Sequence, residues 1–316
     1  MKILVTGGAG FVGSHIVERL LKRGDEVVIV DNINPYYDPA LKRARLASLC
    51  SGANMYEVDI ADADALEMVF KSHSFDLIYH IAAQAGVRYS LSHPEVYIRT
   101  NVVGTENVLK LACAYGKPPI IFASSSSVYG DIKAPIFMED ETGTALSPYA
   151  ETKQKGEALC EKYVKECGLN ITALRFFTVY GPWGRPDMAP ILFTEKILKG
   201  EPIEIFNEGD MKRDFTYIDD IVDGCILAGE NPNGFRVFNL GRGAPVALLD
   251  FVSILEKELG VTAHIIKKPM QPGDMKETYA SISKAQKELG FDPKIQLESG
   301  VRQFVKWYRQ YHNVSS

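Results

Sequence analysis

The chain has 316 residues, 46% of them hydrophobic and 24% charged, and a net charge of −5 from 40 acidic and 35 basic residues. That length carries one large domain or two modest ones with a sizeable core, and the charge balance argues against a general nucleic-acid binder. No stretch approaches the ~18–20 apolar residues that span a bilayer, and the opening "MKILVTGGAG" meets glycines too soon for a signal peptide.

A cytoplasmic protein with no membrane partner is therefore expected. Cys50, Cys113, Cys160, Cys167 and Cys225 show no metal-ligand spacing, so reduced thiols and no metal are expected.

The first apolar run is "KILV" (2–5), followed by glycines and then by "FVGSHIVERLLKRG" (11–24). There Phe11, Val12, Ile16, Leu20 and Leu21 recur at helical spacing. Further strands are read at 26–31, 54–60, 75–83, 118–125 and 170–177, with helices at 62–72, 95–115 and 148–167 between them. Continuous apolar strands alternating with helices give an α/β fold, a Rossmann-type doubly wound parallel sheet covered on both faces. After about residue 178 the rhythm changes. Short segments and two closing helices, near 248–259 and 283–312, suggest a smaller mixed α/β part. The expected division is 1–177 for the dinucleotide and 178–316 mainly for substrate, with some return of the chain to the first part.

"VTGGAGFVGSH" (5–15) places Gly8, Gly10 and Gly13 at G-x-G-x-x-G spacing, and Gly7, Gly10 and Gly13 at G-x-x-G-x-x-G. The motif follows the first strand and opens a helix, which is the setting that lets backbone N–H groups approach a pyrophosphate. Asp31 ends the second strand, where a carboxylate binds both ribose hydroxyls and repels a 2′-phosphate; the cofactor expected is NAD. Asp59, at the end of the third strand, is placed to reach the adenine amine.

"SPYAETK" (147–153) sets Tyr149 and Lys153 four apart, on one face if helical. A free tyrosine ionises near pH ~10, too high for a base at neutral pH. A neighbouring ammonium and a positively charged nicotinamide would favour the phenolate. Just upstream, apolar "PIIF" (119–122) runs into "ASSSSVYGD" (123–131), four serines at the carboxyl edge of a sheet rather than in a linker.

With "TGGAGFVG" (6–13), "DLIYHIAAQAGVR" (76–88), "SSSSVYG" (124–130), "YAETK" (149–153), "RFFTVYGPWGRPDM" (175–188) and "RDFTYIDDIV" (213–222) in this order, nearly the whole chain resembles the extended short-chain dehydrogenase/reductase family. Within it the chain is most similar to nucleotide-sugar 4-epimerases, above all those of UDP-glucuronate. The resemblance implies C4 epimerisation through a transient 4-keto sugar with tightly held NAD. It implies a base in Tyr149, a helper in Lys153 and a catalytic hydroxyl in Ser125, with Ser126 and Ser127 sharing substrate contacts. It sets Phe11, Val12, Asn32, Ile60, Ala82, Ala83, Gln84 and Asn101 along the cofactor.

For the substrate it implies Arg88, Phe206, Asn207, Arg213, Gln271 and Asp274 around the UDP moiety, Gln271 replacing an arginine of the galactose enzymes. Thr178 stands where galactose epimerases have asparagine. With Arg185 it offers a carboxylate site, since a guanidinium suits a carboxylate. Related decarboxylases and dehydratases carry an acid in the serine segment, and none is present here. The alternatives are a UDP-glucose/galactose or N-acetylhexosamine epimerase, a UDP-glucuronate decarboxylase or a dehydratase, and a cofactor-binding protein without activity. The resemblance also implies a homodimer built from the helices near 95–115 and 148–167.

Overall fold

The computed structural model of the protein describes residues 1–271 and 275–314. Its centre is a seven-stranded sheet of β1 (Lys2–Thr6), β2 (Glu26–Asp31), β3 (Asn54–Glu57), β4 (Leu77–His80), β5 (Ile120–Ser125), β6 (Ile171–Phe176) and the strand Phe235–Leu240. The order across the sheet runs from Phe235–Leu240 through β6, β5, β4, β1 and β2 to β3, and every pairing is parallel. The chain therefore winds one way from β1 to β3 and the other way from β4 onward. Such a reversal opens a crevice at the carboxyl ends of β1 and β4, the place where α/β sheets bind ligands.

Strand alternation divides the core. Ile3 and Val5 of β1 face one side, in a cluster with Ile16, Ile218, Phe251 and Phe304. Leu4 faces the other side, with Val28, Leu66, Val69 and Leu109. Both faces are covered, so the strands read as unbroken apolar runs.

Local chemistry sets the helix starts. Helix α1 (Phe11–Arg23) follows the glycine turn, α2 (Pro39–Leu49) is capped by Asp38, and α3 (Ala63–Ser72) by the Asp62 carboxylate, which accepts from Ala65 N at 3.1 Å. Ser147 caps the helix Pro148–Cys167 by accepting from Ala150 N at 3.2 Å, with Pro148 in the first turn.

Two expected helices are not continuous. The 95–115 segment consists of Pro94–Tyr97, a π-helical stretch Ile98–Gly104 and Thr105–Ala114. The 283–312 segment breaks into Ser283–Leu289 and Leu297–His312. Pro293 has no N–H to continue a helix, and the Asp220 carboxylate instead collects the N–H groups of Lys294 (2.9 Å) and Ile295 (3.1 Å).

The later part of the chain adds small strand pairs, Thr178–Tyr180 with Phe215–Tyr217, Ile203–Phe206 with Ile265–Lys268, and Lys212–Arg213 with Val246–Ala247. Phe235–Leu240 returns to the main sheet beside β6, and helix Ile218–Glu230 packs on α1. No helix among the described residues is long and apolar enough to cross a membrane.

The cysteines correct the expectation of five reduced thiols. Cys113 and Cys167 form a disulfide with Cα atoms 6.2 Å apart across 54 residues, while Cys50, Cys160 and Cys225 are free and buried. The bond joins the carboxyl-terminal ends of neighbouring helices, a proximity that spacing along the chain does not reveal. Closing a loop of this length stabilises a fold by about 2–4 kcal/mol. Reduction with dithiothreitol is expected to lower the urea midpoint yet leave turnover unchanged, because Tyr149 lies at the other end of the helix, roughly 27 Å from Cys167 at 1.5 Å per residue. Lost turnover on reduction, with the protein still folded by circular dichroism, would refute this.

Candidate functional site

The crevice at the sheet's carboxyl edge is a continuous cleft whose walls include Gly7, Gly10, Phe11, Val12, Gly13, Asp31, Asn32, Asp59, Ile60, Ala82, Ala83 and Gln84 at one end. Ser124 to Ser127, Tyr149, Lys153, Thr178, Arg185 and Arg213 line the rest. Residues far apart in sequence are thus gathered because β1, β2, β4, β5 and β6 all end on the same edge.

The glycine turn leaves no room for side chains. A Cβ on Gly13 would stand 2.2 Å from the Gly7 carbonyl oxygen, so the start of α1 fits against the turn only as glycine. The turn's own geometry is held by Asp31, whose carboxylate accepts from Ala9 N (3.1 Å) and Ile33 N (2.9 Å), with the Lys42 ammonium 3.7 Å away. A bare backbone cradle at a helix N-terminus, closed by a buried carboxylate, fits the pyrophosphate and ribose of NAD. Asp59 accepts from Ala61 N (2.9 Å) and Arg99 (2.8 Å) while still lining the cleft.

Asn101 is not on the cleft wall. It lies buried behind it, where its amide binds Gln84 N (2.8 Å), Gln84 O (3.0 Å) and Thr152 Oγ1 (3.0 Å). It fixes the β4 loop to the helix that carries Tyr149. The π-helical turn around it supplies the bend that aims its amide inward.

The catalytic end is built on β5 and the helix Pro148–Cys167. Ser125 ends β5, and its hydroxyl accepts from Ser127 N at 3.1 Å. The Ser127 hydroxyl is buried in the cleft wall without a hydrogen-bond partner among the described residues, and a buried polar group in that state is a ready ligand contact. Lys153 is buried, and its ammonium donates to the Ala123 carbonyl at 2.7 Å. Burial pushes it down to about 8, with Cys160 and Glu157 acting in the opposite direction.

Burial raises the Tyr149 phenol, opposed by a hydrogen bond with Ser125 and by the charge of Arg185. Arg185 is thus a cation that acts on Tyr149, one the sequence reading had not paired with it.

Of the residues expected around the substrate, Thr178, Arg185 and Arg213 line the cleft. Arg213 donates to the carbonyls of Lys212 (2.9 Å) and Lys276 (3.2 Å). Arg88, Phe206, Asn207 and Gln271 stand off the cleft wall. The Arg88 guanidinium lies 4.6 Å from the centre of the Phe206 ring, and Asn207 donates to Asp210 O at 2.6 Å. Asp274 lies outside the described residues. The sequence reading missed Tyr36 and Asp187, which meet Arg185 at the rim, and Glu157 behind the serines.

A doubly wound sheet, a glycine cradle closed by a carboxylate, and Ser125, Tyr149 and Lys153 around one cleft define a dinucleotide-dependent enzyme of the short-chain dehydrogenase/reductase type. The model of the NAD dependent epimerase/dehydratase family matches residues 3–241, more than half of the chain, and the chain belongs to that family. It is similar to UDP-glucuronate 4-epimerase 4 of Arabidopsis thaliana, 48% identical over 98% of this chain and 76% of the relative.

Among solved structures it is similar to UDP-glucuronic acid 4-epimerase of Bacillus cereus in complex with UDP-glucuronic acid and NAD, with TM-score 0.93 and 37% identity over 98% of this chain and 100% of that one. It also resembles UDP-glucose 4-epimerase of Thermotoga maritima with UDP-glucose, with TM-score 0.92 and 34% identity over 99% and 100% of the two chains.

Proposed function

We propose that the protein interconverts UDP-glucuronate and UDP-galacturonate at C4, using tightly held NAD. The observation that carries this reading is Arg185, a cation on the cleft wall close enough to act electrostatically on Tyr149 and suited to a carboxylate at C5 of the sugar. When bound, NAD supplies the hydride acceptor and donor at C4. Tyr149 takes the proton of the 4-hydroxyl and later returns it, with Ser125 bridging the two oxygens. Lys153 holds the nicotinamide ribose and supports the phenolate. Ser126 and Ser127 hold the sugar, Thr178 and Arg185 its carboxylate, and Arg213 the diphosphate. The cleft would let the keto sugar turn over, so that both faces of C4 are presented in turn.

Oxidation at C4 makes a β-keto acid. Loss of carbon dioxide requires the C5–carboxyl bond to overlap the carbonyl π system, and Thr178 with Arg185 holds the carboxylate out of that alignment. Residues 123–130 contain no acid, and Asp131 does not line the cleft. In this reading residues 1–177 serve the cofactor and 178–316 mainly the nucleotide sugar. Copies of the chain pair through the helices within 95–115 and 148–167, where Ile98 (50%) and Val103 (44%) are exposed. A monomer mass at sedimentation equilibrium would refute the pairing.

A second reading, a neutral UDP-hexose substrate, draws on the ion pair that already occupies Arg185. The test is a substrate panel followed by NMR. UDP-glucuronate is expected to give its 4-epimer faster than UDP-glucose or UDP-N-acetylglucosamine gives theirs. Turnover of UDP-glucose alone would favour the second reading.

A further inference from the structure

Arg185 does not stand alone at the cleft rim. Its Nε donates to Asp187 Oδ1 at 3.0 Å and its Nη2 to Asp187 Oδ2 at 2.5 Å, a two-pronged pair within one turn of chain. Asp187 in turn accepts from the Tyr36 hydroxyl at 3.0 Å. Tyr36 comes from the loop that follows Asp31, so the pair is held from the cofactor side of the cleft. Its ring leans on Tyr89 with centroids 5.0 Å apart.

The seat of Tyr36 is shaped by Gly86. This residue has φ +104°, and a Cβ there would lie 2.6 Å from the Tyr36 hydroxyl and 3.5 Å from Asp187 Oδ2. The Gly86 carbonyl accepts from Tyr97 at 2.5 Å, and the Tyr97 ring meets the edge of Tyr149 at 6.0 Å. Three loops from separate strand ends therefore close around one guanidinium.

A guanidinium has five N–H donors in a fixed fork. Asp187 takes the Nε edge. The edge formed by Nη1 and the second Nη2 hydrogen is left for another carboxylate, and the side chain has lost the freedom to choose which way that edge faces. We propose that Asp187, braced by Tyr36, is the positioning residue that aims the outer edge of Arg185 at the substrate carboxylate and so sets uronate selectivity and protects the 4-keto intermediate.

The inference rests on the uronate reading of the site. It explains why a neutral sugar is not driven out by a bare cation: the pair is already neutral. It also explains how a uronate gains from orientation more than from net charge. If the carboxylate swings free after oxidation, the C5–carboxyl bond breaks and its electrons pass to the C4 carbonyl as an enolate, which takes up a proton at C5. Carbon dioxide leaves, and the hydride stays on the cofactor.

The test uses the holoenzyme with Tyr36→Phe, Asp187→Ala and Arg185→Ala beside the wild type. Tyr36→Phe removes one hydroxyl from a half-buried ring, so it keeps the proposal testable if Asp187→Ala misfolds. Three quantities are read: kcat/KM for UDP-glucuronate, carbon dioxide released per turnover with the enzyme-bound NADH left behind, and the Kd of UDP-glucose by calorimetry. Expected are a roughly tenfold fall in kcat/KM for Tyr36→Phe and a roughly hundredfold fall for Asp187→Ala, as losses of one and of two charge-assisted hydrogen bonds. Both variants release carbon dioxide and accumulate NADH, and the Kd of UDP-glucose stays within about twofold.

If Arg185→Ala loses uronate turnover while Tyr36→Phe and Asp187→Ala keep it, the proposal falls and the uronate reading stands. Equal weakening toward both sugars marks a merely structural role and also overturns it. A wild-type enzyme inert toward UDP-glucuronate overturns the reading and the proposal together.

Discussion

Replacing Tyr149 by phenylalanine is expected to lower turnover by about 10²–10⁴-fold, the range for removing a positioned proton-transfer group. Bound NAD should remain unchanged. The phenol lies on the cleft wall with Ser125 and Arg185 and stands one helical turn from Lys153. Its ring packs edge-on against Tyr97, which the phenylalanine ring would keep, so fold and cofactor binding have no reason to change. Burial holds the phenol protonated until a second positive charge enters the site. A bound nicotinamide would supply such a charge and favour the phenolate. The check is NMR-detected epimerisation alongside NAD released on denaturation. Turnover within about tenfold of the wild type would remove Tyr149 from the chemistry.

The largest stability change is expected from Glu157→Ala. Glu157 lies one helical turn beyond Lys153, on the hidden side of the serine segment. Its carboxylate accepts from Ser124 Oγ (2.5 Å), Arg175 Nε (3.0 Å) and Arg175 Nη2 (2.9 Å). The Arg175 side chain is 3% exposed, lies 4.8 Å from the Tyr129 ring centre and also donates to the carbonyls of Glu139 and Glu141. Removing the carboxylate strands a guanidinium in the core, which costs about 3–5 kcal/mol, whereas replacing both partners by packed apolar groups can be neutral. Urea unfolding should show the loss for Glu157→Ala and recovery of much of it in Glu157→Leu/Arg175→Met. A loss under about 1 kcal/mol would mean that the pair is solvated and worth little.

The sheet was legible because its strands are buried on both faces and so carry unbroken apolar runs. "KILV" and "EVVIVD" could be nothing else once glycines and helical periods bounded them. The helices over 62–72 and 148–167 were legible as patterns between strands, and their caps, Asp62 and Ser147, act within three residues. What depends on the meeting of distant segments was not. The Cys113–Cys167 bond joins helix ends 54 residues apart. Asn101 reads as a helical polar residue, and only the fold shows it pinned between Gln84 and Thr152.

The site divides in the same way. The glycine turn, Asp31, Tyr149 and Lys153 are set by spacing on single elements, Ser125 was implied by the family resemblance, and all of them line one cleft. Arg185 could be read as a carboxylate ligand from its charge and from the resemblance of its segment to uronate epimerases. That it is already gripped by Asp187, and Asp187 by Tyr36, could not be read. "NPYYDP" and "GRPDM" are ordinary loop sequences until the fold sets them side by side. The break at Pro293 was there to be seen, and the amphipathic pattern across 283–312 masked it.

The most direct measurement follows a deuterium label at C4 of UDP-glucuronate through one equilibration with the holoenzyme. Oxidation and return of the same hydride within one closed site predicts UDP-galacturonate with the deuterium still at C4, none of it in water and none on added NAD. Label lost to solvent, or product inverted at another carbon, would contradict the account.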